Sequence, residues 1–500
     1  MTANSTILRR RRGGAATRPL FTLAATLWLV AAMLVPGRAE VALSALPRQD
    51  EPPVTGASTD AFFPLAAAGI PLAGPLPIDL NLAGAHSVRA ADVDRDGRLD
   101  VVAAARDDGR IIWYHNEGGA TPAFSARAVG TVPGAYLALP ADINRDGQID
   151  ILVIAVSVVD PAAAGAAAPE PALADPAAAQ GSGQVIWFQN DGQPAPGFVA
   201  RTLAGGLNYP VSAAVADLDR DGDPDVVVAS RDDGTLRWFA NNGAPVPAFA
   251  ARQVIGGLDG AVSVDVGDID RDGDPDLVSA SENDDRIVWH ANNGAGAFSP
   301  IVIRPGAPVP DKDFAKSVHL ADMEGDGDLD VLYASEGGNE IGWYVSNGAR
   351  PPQFAQVALF QDANHAKYVT TADMDRDGAL DVLWAASGDP GNGSQARVGW
   401  LRSNAAAAPQ FTPLIIQPDA PGARYVFPAD LDGDGDQDVL TAARESGQIV
   451  WFQNRTIHRT ALYPPSSVRT IGIFKSSRHA VAGDLDGDGD PDVVSVAQDH

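Results

Sequence analysis

One nine-residue pattern, Asp-x-Asp-x-Asp-Gly-x-x-Asp, recurs eight times in this chain, and no other feature constrains its fold as strongly. The copies begin at Asp92, Asp142, Asp217, Asp268, Asp322, Asp373, Asp430 and Asp484, at intervals of 50, 75, 51, 54, 51, 57 and 54 residues. An apolar-x-Trp triplet follows seven of them, at Trp113, Trp187, Trp238, Trp289, Trp343, Trp400 and Trp451. Five of these tryptophans stand 21 residues after the first Asp of their repeat; the others stand at 45 and 27, so repeats two and six carry insertions of 24 and 6 residues, near 160–183 and 388–396. With the insertions removed, one period of about fifty residues runs through the chain.

Each period reads as four short strands. In the third, Val211–Val215 is strand A and the Asp loop follows. Val226–Ser230 is strand B, Leu236–Ala240 is strand C after the Asp232-Asp233-Gly234 turn, and Phe249–Ile255 is strand D after Asn242-Gly243. The 51 glycines and 38 prolines favour turns, and nothing after residue 40 has sustained helical periodicity. The expected fold is all-β, a β-propeller of four-stranded blades. The repeats allow seven or eight blades, and their number favours eight. The eighth repeat reaches His500 after its strand B, with no Trp. Phe62-Phe63 stands where its strand C would be and Leu76–Leu82 where its strand D would be. Residues 58–82 are therefore expected to complete the last blade of a propeller spanning 58–500, the alternatives being a truncated chain or seven blades and a remnant.

The repeated loop is built for a hard cation. Three carboxylates at positions 1, 3 and 5 line the inside of a tight turn, Gly at position 6 permits the reversal, and the carbonyl of position 7 and the Asp at position 9 complete a cage of oxygens. The predicted ligands are Asp92, Asp94, Asp96 and Asp100; Asp142, Asn144, Asp146 and Asp150; Asp217, Asp219, Asp221 and Asp225; Asp268, Asp270, Asp272 and Asp276; Asp322, Glu324, Asp326 and Asp330; Asp373, Asp375, Asp377 and Asp381; Asp430, Asp432, Asp434 and Asp438; and Asp484, Asp486, Asp488 and Asp492. Together they hold 31 of the chain's 64 acidic residues, more than a polar turn needs. All-oxygen ligation in a flexible loop favours Ca2+ over Mg2+, with up to one structural ion per loop. Asn144 and Glu324 depart from the pattern and weaken loops two and five. An EF-hand is excluded, because position 12 is not Glu (Ala103, Val228) and a strand replaces its exiting helix.

The run Asp217-Leu-Asp219-Arg-Asp221-Gly222-Asp-Pro-Asp225-Val-Val-Val, followed by Trp238-Phe and Asn242-Gly243, resembles FG-GAP/VCBS-type repeats, to which the calcium-binding blades of integrin α-subunits are related. The resemblance covers residues 86–500. It implies a propeller with structural calcium in the A–B loops of one face. It implies no single activity, because such repeats serve adhesion, recognition and scaffolding.

The remaining features bound the function. Arg9–Arg12 and Arg18 precede a sixteen-residue apolar run, Leu20–Val35, and the small-x-small site Gly37-Arg38-Ala39. Residues 1–39 are expected to be a cleaved Sec signal peptide and 40–57 a linker, leaving no membrane span and placing the protein at the cell surface, in a periplasm or in the medium. A net charge of −28 makes nucleic acid or an anionic membrane a poor partner. The chain has no cysteine, hence no disulfide or thiolate chemistry. Gly-x-Ser-x-Gly, His-Glu-x-x-His and a phosphate loop are all absent. The expected role is an extracellular binding or adhesion module for a glycan or protein. A propeller-based polysaccharide lyase or hydrolase, and a structural domain of a surface assembly, are the alternatives. The strand-C tryptophans are expected to pack between blades. Six residues before the first Asp of their repeats stand His86, Lys316, Lys367, Arg424 and Arg478, a cationic crescent that would suit an anionic ligand on the face opposite the calcium loops.

Overall fold

The computed structural model describes residues 72–119, 121–157, 182–306, 313–389, 395–406 and 408–456, and the backbone of strands Ser477–Gly483 and Asp492–Ala497. Each full repeat forms one antiparallel four-stranded sheet with its strands in chain order. In the first blade these are Ala85–Ala91, Asp100–Ala105, Arg110–Asn116 and Phe124–Thr131. The next five span 135–208, 210–255, 261–304, 315–360 and 366–417. In the third blade the strands are Pro210–Ala216, Asp225–Ser230, Thr235–Asn241 and Phe249–Ile255, each matching its predicted segment to within a residue at either end.

The seventh blade is composite. Ala423–Ala429, Asp438–Ala443 and Gln448–Gln453 supply strands A, B and C, and Ala73–Asp79 from the N-terminal side adds the outer strand, with Leu76 opposite Trp451. Strand A of the first blade packs on strands A and B of the seventh, so the ring closes at seven blades. The expectation favouring eight therefore gives way to seven. The outer strand assigned to Leu76–Leu82 in an eighth blade is instead Ala73–Asp79 in the seventh, because the open edge of Gln448–Gln453 takes it. Strands A and B of the eighth repeat pair with each other as a two-stranded sheet. Phe62-Phe63 and residues 1–57, with the expected signal peptide and linker, lie outside the described residues.

Burial follows the order of the strands. Strand B is buried along its whole length in the first blade and in the third to seventh, which is why it reads as an unbroken apolar run. Strand D is the exposed outer edge, as in Phe298–Arg304 and Phe354–Phe360. All seven strand-C tryptophans are buried between blades, as expected of packing residues. Large strand-B aromatics are matched by glycine on strand C: Tyr333 faces Gly342 and Trp384 faces Gly399, where a Cβ would stand 2.2 Å from the opposing ring.

Candidate functional site

The acid loops join strands A and B on one face of the disc, and each is organised by its own backbone. In the first, both carboxylate oxygens of Asp92 accept amide hydrogens, from Asp96 and Gly97, each at 3.0 Å, and Asp96 accepts from Arg98 at 2.9 Å. The same bonds recur at Asp142, Asp322, Asp373 and Asp430. Around the turn so fixed, the acids of positions 1 and 3 come together with that of position 5 or position 9. Carboxylate oxygens of Asp217, Asp219 and Asp225 come within 4.8 Å of one another, as do those of Asp268, Asp270 and Asp276, of Asp373, Asp375 and Asp381, and of Asp92, Asp94 and Asp96. Buried oxygens of Asp94, Asp217, Asp219, Asp268 and Asp375 receive no hydrogen bond. A cluster of buried, unpaired carboxylate oxygens is a poor protein interior and a good divalent-cation site.

The chain reverses at position 4 as well as position 6. Arg95, Arg145, Arg220, Arg271 and Arg376 occupy position 4 with φ between 58° and 62°, where loops five and seven have Gly325 and Gly433. An L-residue there costs about 1–2 kcal/mol. Three of the arginines reach the position 7 acid of the next loop: Arg145 to Asp223 at 3.2 Å, Arg220 to Asp274 at 2.6 Å and Arg271 to Asp328 at 2.5 Å. Neighbouring loops are thus tied by ion pairs that help offset the strained backbone.

The position 9 acid is the loop's anchor to the blade. Asp225 accepts from the amides of Leu218 at 3.1 Å and Asn241 at 2.8 Å, and every described loop repeats the arrangement. Burial pushes Asp150, Asp225 and Asp276 up to about 6, Asp381 to about 7 and Asp438 to about 8, although the backbone donors draw them back. The Asn that ends strand C carries a second function that sequence reasoning missed. Asn116, Asn190, Asn241, Asn292 and Asn454 each donate to the carbonyl of position 2 in the preceding blade's loop, at 2.8–3.1 Å. Blades five and six have Ser346 and Ser403 there.

The loops differ in what faces position 3. Two residues after the strand-C Trp stand Ala240 and Ala291 in blades three and four, which leave Asp219 and Asp270 to the cage; burial and then their neighbouring acids hold both above the usual carboxylate range. The same place holds His115, 3.1 Å from Asp94; Arg402, 2.5 Å from Asp375; and Gln453, 2.6 Å from Asp432. In loop two Asn144 turns its amide onto Asp146 at 2.8 Å. In loop five burial and then the neighbouring Asp330 push Glu324 up to about 8. Asp484, Asp486 and Asp488 lie outside the described residues, as do the side chains of Asp492 and Arg478.

On the opposite face, the two lysines of the predicted crescent are charge-paired. Lys316 bridges Glu282 and Glu336, the latter at 2.8 Å, and Lys367 also binds Glu336. His86 is buried, bonded to the carbonyl of Tyr136 at 2.9 Å and tilted against that ring, their centroids 3.8 Å apart. Arg424 is half-buried. The acids that neutralise the lysines come from B–C turns, Glu282 from blade four and Glu336 from blade five. The insertion of repeat two falls between Asp150–Ser157 and Ser182–Asn190, and that of repeat six between Asp381–Ala386 and Arg397–Ser403, both in B–C connections; residues 158–181 and 390–394 lie outside the described residues.

A family model described as an FG-GAP-like repeat matches residues 92–153, 173–228, 217–279, 268–333, 322–384 and 430–495, more than half of the chain. No curated protein matches it in sequence. Among solved structures it is similar to an Agrocybe aegerita lectin studied for specific recognition of non-reducing terminal N-acetylglucosamine, at 18% identity and a TM-score of 0.45, covering 68% of this chain and 81% of that one. It is also similar to BBS1N, solved in complex with ARL6DN and soaked with mercury, at 14% identity and a TM-score of 0.48, covering 78% of this chain and 98% of that one.

Proposed function

Because the chain belongs to the FG-GAP-like repeat family, we propose that it is an extracellular binding module, a propeller stapled by calcium ions that presents its surface to a glycan or protein ligand. The carrying observation is the set of buried carboxylate oxygens that converge in the loops without a donor. Asp217, Asp219, Asp221 and Asp225 are the clearest ligand set, and Asp268, Asp270, Asp272 and Asp276 the next. A bound Ca2+ would supply the positive charge these acids lack. The ions would then do for this cysteine-free chain what disulfides do for many secreted domains, and the leader-like residues 1–39 accord with a calcium-rich extracellular setting. The test is a thermal melt of the purified protein with calcium and with chelator, elemental analysis for bound metal, and a glycan array for ligand. A chelator-insensitive melting temperature with no bound calcium would remove the staple; an empty array together with no protein captured would remove the binding role.

A further inference from the structure

The first strands of the seven blades neighbour one another around the axis of the ring. The residue three places before each first Asp faces that axis: Arg89, Leu139, Ala214, Asp265, His319, Thr370 and Phe427 all line one cavity of about 560 Å³. That volume is typical of a small-molecule site. Its wall is asymmetric. Blades two and three contribute the apolar Leu139, Pro140 and Val215 beside Asp142 and Ser212, while blades four to six and blade one contribute Asp265, His319, Thr370 and Arg89.

We infer that this channel is a binding site for a small hydroxylated carboxylate of about monosaccharide size, with Arg89 as the group that receives the carboxylate. The inference rests on the binding-module reading and says where its ligand sits. Arg89 carries the argument. Its Nη1 donates to the carbonyl of Val88 at 3.0 Å, and its Nη2 to the hydroxyls of Tyr425 at 2.6 Å and Tyr368 at 3.2 Å. Its guanidinium lies 4.2 Å from the centre of the Tyr425 ring and 5.1 Å from that of Phe427, and the two tyrosines are stacked at 3.9 Å. The guanidinium is thus locked in place by aromatic faces and neutral oxygens, and it has no carboxylate partner among the described residues. A desolvated cation without a counter-ion is costly, and a planar guanidinium is the preferred receptor for a carboxylate. Because both phenolic oxygens accept from Arg89, their own hydrogens point elsewhere.

The acids on the cavity wall do not serve Arg89. Asp142 is held by the amides of Asp146 and Gly147 at 3.1 and 2.9 Å. Asp265 is held by the amides of Val266 and Leu320 at 2.9 and 3.0 Å and by His319 Nδ1 at 3.1 Å, while His319 Nε2 meets Thr371 at 3.1 Å. Ser212 and Ser263 accept from the amides of Val264 and Val318 at 3.3 and 3.2 Å, so their hydroxyl hydrogens remain for a ligand's hydroxyl groups.

The experiment is calorimetric titration of the full, calcium-loaded chain with glucuronate, its methyl ester and glucose. Glucuronate is expected to bind at least about tenfold more tightly than the two neutral sugars. Arg89→Gln is expected to abolish that preference. Leu139→Trp, which fills the channel and leaves Arg89 in place, is expected to abolish binding, and it serves as the second variant should Arg89→Gln not fold. Equal binding of the three sugars, no binding of any, or glucuronate binding that survives a folded variant would overturn the inference. A glycan-array ligand whose binding is unchanged by these variants overturns the channel site and leaves the binding-module reading standing. The absence of any ligand in both experiments removes both.

Discussion

The side-chain amide of Asn292 in blade four donates to the carbonyl of Leu218 in the acid loop of blade three, 2.9 Å away. The same amide group reaches the carbonyl of Pro275 at 2.9 Å in its own loop. One residue thus holds two loops at a fixed spacing. Ser346 and Ser403 mark what its loss looks like in nature: each keeps a short-range turn bond but does not clasp the preceding blade. Asn292→Ser is therefore expected to retain the fold and lose about 1–3 kcal/mol, since two buried carbonyls are left without a donor. Urea unfolding measures it. A change within a few tenths of a kcal/mol would mean the clasp is replaced by water.

The ion network of blades four to six sets an acid limit on stability. Burial alone would raise Glu336, but Lys316 and Lys367 overcome it and bring Glu336 down to about 2. A carboxylate held below its unfolded value of about 4.3 stabilises the fold above that pH and loses its contribution as the pH falls toward 2. Glu336→Gln should remove this part of the acid limb. At neutral pH it should also destabilise by roughly 2 kcal/mol, a value tempered by the partial exposure of the group, because Lys316 then keeps only Glu282. Melting temperatures of the two proteins between pH 2 and 7 should converge at the acid end. Curves that stay parallel would show the network to be energetically idle.

Ring closure depends on seven residues far from the blade they complete. Ala73–Asp79 covers the edge of Gln448–Gln453, and Leu76 and Ile78 pack against the core shared by blades seven and one. Deleting the chain through Asp79 uncovers that edge and invites intermolecular pairing. The truncated protein is expected to aggregate, and Leu76→Asp to lower the melting temperature while preserving the other six blades. Light scattering and far-ultraviolet circular dichroism separate the two outcomes. A truncated protein as monomeric and stable as the parent would show that the strand is dispensable.

What could be read in the chain and what could not divides along the range of the interactions. The strands of blade three were legible because alternation and Asp-Gly turns are local signals. The clustering of acids in each loop was legible because they all lie within nine residues. Blade number was not, because it depends on which distant strand captures the open edge at Gln453. The ion pairs of Lys316 and Lys367 were out of reach for the same reason: Glu282 and Glu336 sit in B–C turns of the preceding blade, 34 residues from Lys316 and 31 from Lys367 respectively. The channel ring was within reach. Arg89, Asp265 and His319 stand at one repeat position where an inner strand would otherwise be apolar, and comparing that position across repeats, rather than the one three residues earlier, reveals them. The residue after Trp by two was equally readable, once strand C is known to pass beside the loop.

That last position orders the proposed calcium sites. Ala240 and Ala291 place no polar side chain beside Asp219 and Asp270 at this position, whereas Arg402 already binds one oxygen of Asp375 and Gln453 one oxygen of Asp432. If the loops hold calcium as proposed, the sites of blades three and four fill first, and Asp219→Asn and Asp270→Asn each lower the stoichiometry of tight binding by one. Arg402→Ala is expected to raise the affinity of loop six, since a cation beside a ligand carboxylate opposes a second cation. The pH dependence has a defined sign. Burial holds Asp225 and Asp276 up to about 6, above the unfolded value of about 3.9, so the chelated protein gains stability as pH falls and loses it as pH rises through 6. Calcium needs the same acids ionised, so binding releases protons below about pH 6 and weakens there. Calcium should therefore raise the melting temperature more at pH 8 than at pH 5, and titration calorimetry in buffers of different ionisation enthalpy should detect the released protons at pH 5. An equal effect of calcium at both pH values, or Arg402→Ala leaving loop six no tighter, would overturn this ordering.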